Sequence, residues 1–145
     1  MGALPGSVLF ACTMNSVSSP MAEALMKHLF GKQVYVDSVG LRAAPIDPLA
    51  IEAMAEIGID LARHTAKTFD ELADSSFDLI VTLSPEAQHR AVEMTRIMAC
   101  DVEYWQTFDP TIAEGSREAR LASYRAVRDY LVTRIRERFA STEKR

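Results

Sequence analysis

The stretch VLFACTMNSVSSPMAEAL, residues 8–25, decides the fold. Its apolar opening, Val8 to Ala11, reads as a strand buried on both faces, with Cys12 at its end. A polar loop follows, and Ser18-Ser19-Pro20 opens a helix whose Ala22, Leu25, Met26 and Leu29 share one face before Gly31 stops it. Strand, loop and helix N-terminus in that order build an anion site, because the loop amides turn inward and the helix dipole adds to their field. The same field stabilises the negative charge of a thiolate, which places Cys12 as a nucleophile beside a bound anion. A small buried hydrophobe is the other reading of a lone cysteine. The loop itself carries no cation to clamp the anion.

Outward from this stretch, short apolar runs alternate with segments of helical period. Ser7–Cys12 is the first strand, and Pro20–Phe30 the first helix. QVYVDS, residues 33–38, supplies a second strand. Asp47 and Pro48 cap and start a second helix, with Ile51, Met54 and Ala55 on one side and Gly58 at its end. TFDE, residues 68–71, has the form of a capping box and predicts a short helix. FDLIVTL (77–83) is a third strand, Ser84-Pro85 opens a helix, and DVEYW (101–105) is a fourth strand. The last helix runs from about Ser116 to Phe139, with Leu121, Tyr124, Val127, Leu131, Ile135 and Phe139 on one face and its arginines on a solvated one. The pattern predicts an α/β fold: a three-layer open parallel sheet of about four strands with helices on both faces, forming one domain over residues 1–145. Ligands of such sheets bind beyond the carboxyl ends of the strands, where Cys12 and Asp109 both fall.

Sixteen basic and 20 acidic residues in a chain of 145 give a formal net charge of −4. That balance leaves no basic footprint for nucleic acid, so a small-molecule or protein partner is expected. No apolar run is long enough to cross a bilayer, no signal peptide is evident, and the only cysteines are Cys12 and Cys100. A reduced, cytoplasmic location without membrane partners is expected. MGALPGS, with Gly6 where an acylation signal wants Ser or Thr, reads as a flexible terminus. No His, Cys and Asp cluster has metal-ligand spacing, so neither a metal nor another cofactor is expected, and His28 and His89 read as solvent-facing.

VLFACTMNSVSSPMAEA resembles the signature of the low-molecular-weight protein tyrosine phosphatases and the related thioredoxin-coupled arsenate reductases. That signature is a strand, a cysteine, five loop residues, an arginine, a serine and a proline. DSVGL (37–41), GIDLARHTAK (58–67) and FDPTIAEGS (108–116) are similar to the family's Ser-Ala-Gly, Gly-Ile-Asp and Asp-Pro segments, so the likeness extends from Ser7 to about Phe139. It implies a two-step displacement in which Cys12 attacks phosphorus and Asp109, stiffened by Pro110, serves as acid and then as base. It also implies that Thr13, Met14, Asn15, Ser16, Val17 and Ser18 cradle the phosphoryl group, that Ser19 donates to the thiolate, and that Ser38 and His64 brace the loop. Without the resemblance, Asp-Pro simply starts a turn and His64 is a surface histidine. The implied partners are a phosphorylated protein, a small phosphoester, inorganic phosphate or another oxyanion.

The departures from the pattern are as informative. Ser18 stands where the family has its phosphate-clamping arginine, which implies impaired turnover. Met14 occupies a place where glycine is common, and Thr111 and Ile112 replace the aromatic wall that follows Asp-Pro in the tyrosine phosphatases. Tyr104 or Trp105 supplies that wall, or else belongs to the core. VTLS and EYWQTFDP look closer to the reductases. Yet Ser84 holds the place of the first relay cysteine, and none follows before Cys100, which reads as structural or exposed. Serine cannot form the disulfide that a relay requires. The expected function is therefore phosphomonoester hydrolysis, impaired by Ser18. The alternatives are a non-catalytic oxyanion-binding relative and, with less support, an arsenate reductase.

Overall fold

Alternation along β1 (Ser7–Cys12) sends Val8 and Phe10 to one face of the sheet and Leu9 and Ala11 to the other, and all four are buried. A strand that is apolar on both faces needs cover on both, and the chain supplies it. The structure, a computed structural model, describes residues 4–72 and 76–140. Met1 to Ala3, at the start of the stretch read as a flexible terminus, lie outside these residues. β1 pairs in parallel with β2 (Tyr35–Gly40) on one side and β3 (Leu79–Thr82) on the other, and β3 pairs with β4 (Asp101–Tyr104). The order is β2-β1-β3-β4.

Helices α1 (Ser18–Phe30), α2 (Pro48–Ala55) and α4 (Arg117–Ile135) contribute to the core on the Val8 and Phe10 face, whereas α3 (Pro85–Met94) covers the Leu9 and Ala11 face. The chain thus leaves β1 toward one face and β3 toward the other. This opens a crevice between their carboxyl ends. Cys12 ends β1 on one side of it, and Ser84 caps α3 on the other, its Oγ accepting from Ala87 N at 3.2 Å.

Several boundaries differ from the sequence expectation. The first helix begins at Ser18 rather than Pro20, because proline is tolerated within a first turn. The second strand occupies 35–40 rather than 33–38, since Gln33 N and Val34 N both donate to Phe30 O and finish the preceding turn. In α2 the buried residues are Leu49, Ala50, Ala53 and Met54, and Ala55 is exposed. The capping box forms, with Thr68 N donating to Glu71 Oε1 at 2.8 Å, but encloses only a single 3₁₀ turn, Phe69–Glu71. The expected face of α4 is buried through Ile135, and Phe139 lies on a π turn, Arg136–Ala140.

Its arginines are not all solvated. Arg128 is buried and donates to Ala53 O and to Glu56, and Arg125 holds Glu56 from outside. Hydrogen bonds from Arg125 and Arg128 pull the Glu56 carboxyl down to about 2. These bonds fasten α4 to the end of α2.

Candidate active site

The loop after β1 is shaped by where its carbonyls go. Cys12 O, Thr13 O, Met14 O and Ser16 O accept from the backbone N–H groups of Leu41, Arg42, Ala44 and Asp47, at 3.2, 2.9, 3.1 and 3.0 Å. Carbonyls turned outward leave the amides to turn inward, which is the geometry of an anion nest. Asn15 N already donates to the Cys12 sulfur at 3.3 Å. Asn15 has a φ of 53°, in the left-handed region that asparagine tolerates better than most residues. Val17 precedes α1 and offers no side-chain cap, so the first-turn amides of the helix also face the loop's interior.

The Asn15 side chain is fully buried and uses every hydrogen-bonding position. Lys67 N–H can only donate, so the atom it meets at 2.9 Å is Oδ1, which also accepts from His64 Nε2 at 3.0 Å. Nδ2 then donates to Ser19 Oγ at 2.9 Å and to Ser38 Oγ at 3.0 Å. Ser19, having accepted that bond, has its own proton to give to Cys12 Sγ, 2.8 Å away. Ser38 Oγ donates its own hydrogen bond to Glu23 Oε1 at 2.5 Å. Burial holds His64 below the ordinary histidine range, against the opposing pull of Glu23. The residues expected to brace the loop, Ser38 and His64, thus meet it through Asn15, and His64 is not a surface histidine.

Gly40 is what lets the loop come so close. A Cβ built there would lie 2.5 Å from Arg42 O, 2.7 Å from Asn15 N and 2.8 Å from Met14 C, all backbone atoms that cannot swing aside. Gly40→Ala is expected to cost roughly 1–3 kcal/mol of stability as the loop is pushed off the strand. It should also weaken phosphate binding, and thermal melts with and without phosphate would show both effects.

Cys12, Thr13, Met14, Ser16, Val17 and Ser18 line one side of a cleft of about 130 Å³, and Thr107 to Thr111 line another. Asp109 caps the short turn Pro110–Ile112, with Thr111 N and Oγ1 both donating to Oδ1, at 2.9 and 2.6 Å. Asp109 itself is among the residues that line the cleft. Ser84 closes the third side, accepting from Thr13 Oγ1 at 3.0 Å. None of the cleft's lining residues is cationic. A larger cavity, about 1000 Å³, runs along α1 and β2 and contains neither Cys12 nor Asp109.

Sequence reasoning missed Glu23, the Lys67 amide, Thr107 and Phe108. Glu23 stands one helical turn after Ser19, a spacing that could have revealed it. A backbone amide leaves no such trace. Of the aromatic residues proposed as a wall, Trp105 is buried against Phe10 and Phe139, and Tyr104 does not line the cleft. Cys100 precedes the start of β4, at the opposite end of a parallel sheet from Cys12. At about 3.3 Å per strand residue the separation exceeds ~13 Å, whereas a disulfide needs Cα atoms within about 7 Å. Burial, with a smaller push from Asp101, raises the Cys100 thiol. Among the described residues no group of three or more His, Cys, Asp or Glu is placed to hold a metal ion. No helix among them is long and apolar enough to cross a membrane.

Residues 7–144 match the family described as low molecular weight phosphotyrosine protein phosphatase. An arsenate reductase of Bacillus subtilis (strain 168) is 36% identical over 137 residues, covering 94% of this chain and 96% of its own. Among solved structures, an arsenate reductase in the phosphate binding state superposes with a TM-score of 0.71 at 27% identity, over 94% of this chain and 98% of its own. A mutant of the YwlE arginine phosphatase with a phosphorylated active site serine superposes with a TM-score of 0.75 at 26% identity, over 95% and 96%.

Proposed function

This chain belongs to the low molecular weight phosphotyrosine protein phosphatase family, and from that premise we propose that it hydrolyses phosphomonoesters through a cysteinyl-phosphate intermediate, at a rate lowered by Ser18. In the first step the Cys12 thiolate attacks phosphorus as the bond to the ester oxygen breaks. The departing electron pair takes a proton from the Asp109 carboxylic acid. In the second step Asp109, now a carboxylate, takes a proton from water as that water attacks phosphorus and the thiolate leaves, giving inorganic phosphate. Ser19 donates a hydrogen bond to the Cys12 sulfur while it is anionic, before attack and again as it leaves phosphorus. The working unit is one domain spanning residues 1–145, acting in the cytoplasm on a phosphorylated protein or small phosphoester without a cofactor.

The observation that supports this reading is that Cys12 and Asp109 line one cleft, with the fully buried Ser19 2.8 Å from the Cys12 sulfur and Asn15 N donating to the same sulfur at 3.3 Å. Hydrolysis is favoured over arsenate reduction because Ser84 holds the crevice position beside Thr13 and Cys100 lies at the far end of the sheet. A second reading, oxyanion binding without turnover, draws support from the absence of any cation lining the cleft. Titration with phosphate or vanadate, followed by backbone amide shifts, should move Thr13 to Ser19 first. A response confined to other residues would discard both readings. A thioredoxin-coupled assay should show no reduction of arsenate, and robust reduction would reverse the ranking.

A further inference from the structure

Away from the cleft, α1 and α4 line a second opening, each with a stripe of side chains from one helical face. Leu25, His28 and Leu29 form the stripe on α1. On the other side Asp129, Val132 and Thr133 of α4 lead to Arg136, at spacings of three, four and seven. Ile57 and Ile59 complete the lining. They flank Gly58, whose φ of 82° lets the chain reverse after α2, with Gly58 N donating to Ala55 O at 3.0 Å and Ile59 N to Met54 O at 3.1 Å. That closure accounts for Ile59, which packs back onto the core as the residue after such a glycine commonly does. It does not account for Ile57, which is 41% exposed.

The opening has the proportions of a small-molecule site. Its volume is about 410 Å³, within the roughly 300–1,000 Å³ of ligand pockets, and like them it is mostly apolar with a few polar groups. Its apolar residues are all aliphatic, and no aromatic side chain lines it. The charges on its rim differ in what already holds them. Asp129 accepts from Arg128 Nε at 2.8 Å. Arg125, Arg128 and Arg138 are held by carboxylates, and Arg134 lies over the Trp105 and Tyr130 rings. Among the described residues Arg136, which is exposed, has neither kind of partner. The last five residues of the chain, STEKR, include no apolar residue that could fill an aliphatic floor.

We propose that this trough binds a small aliphatic monocarboxylate, with its hydrocarbon chain between α1 and α4 and its carboxylate on Arg136. A guanidinium presents a planar pair of donors that matches a carboxylate, and His28 and Thr133 stand on the same rim as further donors. Burial of the chain against Leu25, Leu29, Ile57 and Val132 supplies the affinity, and Arg136 selects the charge. The trough shares no lining residue with the Cys12 cleft, so the inference stands apart from the phosphomonoester reading.

Calorimetric titration of the intact chain with octanoate, octan-1-ol and acetate, with backbone amide shifts read alongside, tests this. Octanoate should bind saturably and move the amides of Leu29, Ile57 and Val132 while leaving those of Thr13 to Ser19 in place. Octan-1-ol, which lacks the charge, should bind about tenfold more weakly. Acetate, which lacks the chain, should not saturate. Arg136→Gln should bring octanoate down to the level of octan-1-ol, and Arg136→Lys should keep part of the preference. Ile57→Ser, a change at an exposed position, should weaken octanoate and octan-1-ol alike. Failure of octanoate to saturate, equal affinity for octan-1-ol, or a preference that survives Arg136→Gln overturns the inference. So does octanoate that moves only the cleft amides. Sedimentation covers the other occupant: a dimer that Ile57→Ser dissociates and octanoate does not displace would make the trough an interface between two copies, and would overturn the inference as well.

Discussion

Ser18→Arg is expected to raise hydrolysis of an aryl phosphate by roughly 10³-fold or more, the scale on which a positioned arginine acts in phosphoryl transfer. Ser18 is the first residue of α1 and lines the cleft, which has no cation of its own. A guanidinium there would bind two phosphoryl oxygens at once and hold the charge that spreads over them as the group moves. The cradle does not wait for this change, because its carbonyls and Asn15 are already engaged without Ser18. Cys12→Ser in the same background should abolish the gain. Steady-state rates across a pH series, with circular dichroism on each variant, would check it. No gain in a protein of unchanged fold would sink impaired hydrolysis and leave oxyanion binding as the function.

Asp109→Asn, made in the Ser18→Arg protein, should lower kcat by roughly 10²–10⁴, the span of general acid–base catalysis. The substitution is unusually clean here. Asparagine keeps an Oδ1 to accept from Thr111 N and Thr111 Oγ1, so the turn retains its cap while the transferable proton is lost. The loss should be greatest for a poor leaving group and smallest for one that departs unprotonated. A series of substituted phenyl phosphates would therefore show a steeper dependence of rate on leaving-group pKa. Equal rates for the two proteins across that series would remove Asp109 from the mechanism.

The sheet was legible because burial on both faces writes itself into β1 and β3 as unbroken apolar runs. The shift of β2 was not, since Val34 is buried like a strand residue while its amide completes the turn after α1. Arg128 shows the same limit on a helix. It reads as one of many solvated arginines, and only the end of α2, 75 residues distant in sequence, supplies the carbonyl that buries it. In the site, the family pattern pointed to Cys12, Ser19, Asp109, Ser38 and His64; Cys12 and Asp109 line one cleft, and Ser19, Ser38 and His64 each hydrogen-bond the Asn15 side chain. Phe108 was overlooked because the pattern directs attention to the residues after Asp-Pro. The fold instead turns the residue before it toward the opening.

A cradle whose carbonyls are held from outside by residues 41–47, and whose one left-handed residue, Asn15, is held through its buried side chain by Lys67 N, has its shape set by bonds within the chain. An oxyanion entering such a loop, as proposed, has little ordering entropy to pay, and the free energy of its contacts is available as affinity rather than consumed in arranging the receptor.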